Sequence, residues 1–366
     1  MLSNQKVMLI KDKILPPPIT ENVSKKERRN VALQSIKGIS CIVVFMGHAS
    51  GMMYSSVLES LKSTPLSILF DGQCAVVIFF FVTGFFLYKN AKFKLTTYKI
   101  AVIKKAVRIY PLYILVTIVG FNLCNCQMSY PHQLFTEWGN SFWSRPVSLF
   151  ELIRHLSLVL PFDSNLINPP IWYIVVEMRL AFILPLIVWA ITKKGMVIAL
   201  VLMVASFTIP NIGFLNCIGY YLSGYCLRWF VVHHGSYLSS LGKSQIWPAI
   251  LLMSFCLLGI FHIIGIEEYK LPHSMHAIQS IGAMLLVAIV LACDFRLLHA
   301  KLLIRMGDIS YSFYLLHFVV LLSFRPLGLP VAYYLPLCFL LTLLMSMLSF
   351  HYIEKPIVVY FRGLLR

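Results

Sequence analysis

The chain of 366 residues is 59% hydrophobic and only 12% charged, where a soluble domain averages about 45–50% apolar and about 25% charged residues. Its mean hydropathy of +0.80 leaves too few polar side chains to cover a water-exposed surface, so a soluble enzyme is excluded and lipid is the expected solvent. Lys and Arg number 31 against 14 Asp and Glu, a formal net charge of +17, which in a soluble protein points to nucleic acid and in a membrane protein to cytoplasmic loops.

Residues 1–30 form a polar, basic stretch containing Lys25, Lys26, Arg28 and Arg29, with a Pro16-Pro17-Pro18 run that breaks any helix. It reads as a solvated cytoplasmic tail. The first apolar run begins near Ile36 with no small-residue cleavage site after it, so it is expected to be a spanning helix and not a removable signal peptide. Spans of about 20 residues are expected near 36–56, 66–88, 103–122, 171–191, 195–210, 212–232, 246–264, 276–293, 308–324 and 330–352. The run at 147–162 is shorter, carries Glu151, Arg154 and His155 and ends at Pro161. It reads as an interfacial or re-entrant helix.

With ten spans and the N-terminus inside, 25 of the 31 Lys and Arg fall in cytoplasmic segments, leaving Lys62, Arg145, Arg154, Arg179, Lys270 and Arg325 for spans and outer segments. That asymmetry selects an all-α polytopic membrane protein of about ten transmembrane helices with both termini cytoplasmic. It also accounts for the basic excess without nucleic acid. The expected organisation is a tail at 1–30, a transmembrane domain at 31–357 and a short cytoplasmic tail at 358–366. Six of the nine cysteines (Cys41, Cys74, Cys217, Cys256, Cys293 and Cys338) sit in apolar runs and read as small buried hydrophobes. Cys124 and Cys126 stand near His132 without a second ligand pair at zinc spacing, and no metal site is expected.

Ionisable groups within spans need a partner or a task, because a charge at the bilayer centre costs at least about 2.5–3.5 kcal/mol. His48 falls about halfway through the first span. Lys37, eleven residues earlier, is close to three helical turns away on the same face, roughly 16 Å nearer the cytoplasm. A neutral histidine bonded to another helix and a snorkelling lysine are the plainer readings of these two positions. Lys105 and Arg108 are neighbours on the basic turn that enters the third span, and with Lys37 they would form a cationic mouth suited to phosphates. Lys104 in the same turn reads as an orientation signal. Glu177, near the outer end of the fourth span, is a candidate general base or the partner of an arginine.

Several segments resemble successive motifs of the membrane acyltransferase 3 family, in order over residues 30–357. They are Lys37-Gly38-Ile39-Ser40 through His48, Phe80-Phe81-Val82-Thr83-Gly84-Phe85, Lys105-x-x-Arg108-Ile109-x-Pro111, Trp172 through Glu177 and Pro185, Gly307-Asp308-Ile309-Ser310-Tyr311-x-x-Tyr314-Leu315-x-His317, and Tyr352-Ile353-Glu354-Lys355-Pro356. The resemblance implies an enzyme that moves an acyl group, usually acetyl, from cytoplasmic acyl-CoA to a hydroxyl of an extracytoplasmic carbohydrate such as O-antigen, capsule or exopolysaccharide. It implies a multi-pass protein of a bacterial inner membrane, with His48 essential for transfer and with Lys37, Lys105 and Arg108 engaging the donor.

Lys37 and Lys105 stand where the family pattern has arginine, and Thr83 where it has serine. Charge is kept at both lysines, but bidentate phosphate geometry is not. Acetyl-CoA is expected as a donor substrate and no permanently bound cofactor is needed to break a thioester. The expected partners are acyl-CoA, a carbohydrate or lipid-linked glycan acceptor and membrane lipid. The chain ends at Arg366, so transfer is expected to finish within the membrane domain. His48 can act as general base or as a transient acyl carrier, with Glu177 assisting. The competing class is a proton-coupled transporter or flippase, which intramembrane His and Glu with Pro111 and Pro185 would also suit. Tyr130, Trp138, Phe142 and Trp143 in the outer segment read as a carbohydrate-stacking surface or an interfacial belt.

Overall fold

A computed structural model describes residues 25–88, 96–126, 132–210, 213–260 and 273–364. Of the expected tail at 1–30, residues 1–24 lie outside the described residues, as do Tyr130, Lys270, the end of the span at 246–264 and the side chains of 25–30, whereas the backbone of 25–30 is the first part of a helix and not an irregular tail. Among the described residues the architecture is helical, and the only β feature is an isolated bridge between Met53 and Phe135.

Helix α1 runs from Lys25–Met52. A short α2, Ser56–Lys62, starts where the Ser55 hydroxyl accepts from the Leu58 N–H. A 3-10 turn, Pro65–Phe70, leads to α3, Gly72–Leu87, whose first turn is capped by the Asp71 carboxylate. Helix α4 spans Thr96–Cys126 with Pro111 inside it. Two short helices follow: α5, Glu137–Ser141, capped by Thr136, and α6, Leu149–Ser157, opened by a reciprocal Ser148–Glu151 capping box. Helix α7, Ile171–Lys194, begins after Pro169-Pro170 and stops at Gly195, whose φ of +92° few other residues adopt.

Then come α8, Met196–Thr208, α9, Ile218–His233, α10, Gly235–Lys243, and α11, Trp247–Leu258. The chain continues as α12, His276–Cys293, α13, Lys301–Asp308, α14, Ser310–Phe324, and α15, Val331–Ser349. A π turn, Phe350–Glu354, carries α15 into α16, Lys355–Leu364.

Each of the ten expected spans contains a helix, but length and apolarity select fewer as membrane-crossing. Among the described residues five stretches qualify by themselves: Val31–Met52, Tyr98–Cys126, Ile171–Lys194, His276–Cys293 and Val331–Phe361. The number rises to seven if the bent pairs α10–α11 (104°) and α13–α14 (74°) each count as one span. The differences have physical causes. Helices α3 and α8 are apolar but short, at 16 and 13 residues, and the chain turns sharply at Ile309, so the expected span at 308–324 is only the longer arm of a bend.

Backbone-to-backbone contacts hold the centre together. A methyl group on Gly84 would stand 2.0 Å from the Tyr221 carbonyl oxygen, and one on Gly224 2.0 Å from that of Phe81. Helices α3 and α9 therefore meet through paired glycines, as small residues allow between spans. Gly38 and Gly307 do the same for α1 and α13. The second of these contacts fixes the helix that carries Lys37 and His48, and the first fixes Tyr221.

Candidate active site

Lys37, Lys105, Arg108 and Glu177 line one cavity of about 170 Å³, together with Thr83, Tyr173, Tyr311 and Tyr314. The sequence placed the three cations at a cytoplasmic mouth and Glu177 towards the outer end of its span; the fold brings all four together. Glu177 is buried and fully engaged. The Lys105 ammonium pairs with its Oε2, while the Tyr173 and Tyr221 hydroxyls donate to Oε1 over 3.0 and 2.7 Å. Tyr221 reaches it only because Gly84 lets α9 lie against α3. Among the described residues neither Lys37 nor Arg108 forms an ion pair. The cavity thus holds three cations against one carboxylate, a field that favours an anionic group.

His48 does not line that cavity. It borders a second one of about 230 Å³ with Gly47, Gln73, Trp172 and Tyr314. Tyr314 lines both, and its hydroxyl donates to the Pro170 carbonyl over 3.0 Å, so its ring is the shared wall between cationic pocket and histidine.

The histidine has a partner that sequence reasoning passed over. Its Nδ1 lies 2.9 Å from Nε2 of His317, whose own Nδ1 is 2.6 Å from the Tyr314 carbonyl oxygen. A carbonyl only accepts, so His317 carries its hydrogen on Nδ1 and, when neutral, presents a lone pair at Nε2. That lone pair takes the His48 Nδ1–H. His48 is left with a lone pair on Nε2, which no described residue engages. Phe318 meets the His48 ring edge-on at 5.0 Å, and Trp138 lies nearly parallel to it, 12° between planes with centroids 6.3 Å apart. His317 stood in a quoted motif, and a fully buried imidazole in a span invites the same question as His48.

Two further polar residues support the frame. Ser312 donates to the buried carboxylate of Glu354, tying α14 to the π turn. Arg325, 2% exposed, donates from one nitrogen to the carbonyls of Gly139 and Phe142 at 2.9 and 3.1 Å, fixing α5 beside His48. Among the described residues no group of three or more His, Cys, Asp or Glu could hold a metal ion.

A helical membrane protein with a cationic cavity beside an oriented histidine is the class that this geometry defines. A family model described as an acyltransferase domain, acyltransferase 3, matches residues 30–351, and the chain belongs to that family of membrane acyltransferases. No curated protein and no solved structure matches it.

Proposed function

We propose that the protein is an O-acyltransferase that moves an acetyl group from cytoplasmic acetyl-CoA to a hydroxyl of an extracytoplasmic carbohydrate, such as O-antigen, capsule or exopolysaccharide. The membrane is then a bacterial inner membrane, crossed ten times when the short helices α3, α8 and α9 count beside the seven longer or bent spans, with both termini in the cytoplasm. One observation carries the reading: a cavity with two cations that form no ion pair among the described residues shares a wall, Tyr314, with the cavity of a histidine poised as a base.

Donor phosphates are held by Lys37, Lys105 and Arg108, as point charges from the lysines and as a fork from the guanidinium. Glu177 keeps Lys105 in place and is itself fixed by two phenols. The thioester passes beyond Tyr314 to His48. Nε2 of His48 removes the proton of the acceptor hydroxyl as its oxygen attacks the thioester carbonyl. The tetrahedral intermediate collapses, the C–S bond breaks and the departing thiolate takes that proton from the imidazolium. The products are an O-acyl ester and free CoA, with the enzyme returned to its starting state. His317 holds the reactive tautomer and the ring plane, as the third member of a catalytic triad does.

Membranes with and without the protein, incubated with acetyl-CoA labelled in the acetyl group, test the reading. Label is expected in alkali-labile ester on surface glycan only when the protein is present. Protein-dependent export of unlabelled glycan without ester formation would support a transporter or flippase instead.

A further inference from the structure

A third cavity, of about 300 Å³, opens beside α5 and is lined by Trp138, Ser141, Trp143, Arg145, Asp163 and Asn165. The geometry points to a saccharide subsite here, with the Trp138 indole as platform and the Asp163 and Asn165 side chains as hydroxyl partners. The inference rests on the proposed acyl transfer and adds where the acceptor sits.

Position is the first argument. Trp138 lines this cavity, and its ring lies nearly parallel to that of His48 with centroids 6.3 Å apart, so the platform borders both the cavity and the base. The platform is also fixed before any ligand arrives. A methyl group on Gly51 would stand 3.1 Å from the indole, and one on Gly139 2.4 Å from the Met52 carbonyl oxygen. Arg325 holds the α5 carbonyls from below. A preset aromatic surface loses little entropy on binding, and Trp138 still keeps 44% of its surface exposed.

Chemistry is the second. The donor cavity has a cationic excess, whereas here Arg145 is paired with Glu151 at 2.8 Å and Asp163 adds a carboxylate. That balance suits an uncharged, hydroxyl-rich ligand and not a phosphate. The Asp163 carboxylate accepts and the Asn165 amide both donates and accepts, the mixture that vicinal hydroxyls require. Strain is the third. Trp143 has a φ of +53°, a left-handed backbone that a bulky side chain rarely adopts. Its indole N–H holds it by donating to the Ile167 carbonyl over 3.0 Å. Strain of this kind concentrates at ligand sites.

The test uses the purified full chain with acetyl-CoA and a panel of hexose and N-acetylhexosamine disaccharides. Trp138→Ala, and separately the exposed Asp163→Asn and Asn165→Ala, should raise the acceptor KM about tenfold or more with no change in the acetyl-CoA KM. An acceptor KM that stays constant in all three, or donor and acceptor KM values that rise together, would overturn the subsite while leaving acyl transfer intact. Saturation-transfer NMR with the same disaccharides separates the two claims. Binding that Trp138→Ala abolishes, in a protein that transfers no acetyl group, upholds the subsite and refutes the acceptor reading. A wild-type protein that neither binds nor acylates any saccharide overturns both.

Discussion

His48 and His317, 269 positions apart in the chain, share a 2.9 Å hydrogen bond from Nδ1 to Nε2. The Tyr314 carbonyl orders the pair by taking the other His317 hydrogen, so helix α14 sets the tautomer of a residue on α1.

His317→Ala should therefore lower kcat by about 10²-fold or more, the scale of a general base, without raising the acetyl-CoA KM. His317→Asn offers an amide oxygen that can accept the same hydrogen and should recover part of that loss. Steady-state kinetics of both variants check this. Equal losses in Ala and Asn variants would show that the ring fills space and does not orient.

Lys37→Arg restores the side chain that the family pattern carries. A guanidinium adds bidentate phosphate contact, so the variant is expected to be at least as active, with a lower acetyl-CoA KM. A severe loss would show that this lysine does something other than stand in for arginine.

Glu177→Gln separates two roles for this carboxylate. As the group that holds Lys105, its removal should chiefly raise the acetyl-CoA KM and lower thermal stability, because a half-buried ammonium loses its partner. As the base that deprotonates the acceptor, its removal should lower kcat by about 10²-fold or more at unchanged donor KM. The first outcome is expected.

Helix α6 should respond to acid. Arg145, followed by the Ser148 backbone N–H, holds the Glu151 carboxyl down to about 2 from its ordinary 4.5. A depressed folded-state pKa gives a contribution that is complete above pH 4.5 and disappears as pH falls towards 2. Amide exchange at residues 149–157, corrected for its intrinsic pH dependence, should quicken across that interval. In Glu151→Gln the extra protection at neutral pH should be absent.

Much of this was legible in the sequence, and the limits have definite causes. Hydropathy located a helix at each of ten places, because apolar length is a local property. It could not show that α3 and α8 stay short or that the chain turns by 74° at Ile309. The packing of the helices on one another, as at Gly84 and Gly224 or Gly38 and Gly307, is not a local property either. The cost of burying charge singled out His48, Lys37, Lys105, Arg108 and Glu177, and four of the five share one cavity. Spacing along single helices could not reveal that Glu177 meets Lys105, since they lie on α7 and α4. Nor could it show that Arg325, one of the few basic residues outside the expected cytoplasmic segments, anchors the Gly139 and Phe142 carbonyls.

The most direct test is transfer of labelled acetyl from acetyl-CoA to glycan by His48→Ala, compared with wild type in membranes holding equal amounts of inserted protein. The account predicts no ester formation above the protein-free background while acetyl-CoA still binds. Transfer at or near the wild-type rate would contradict it.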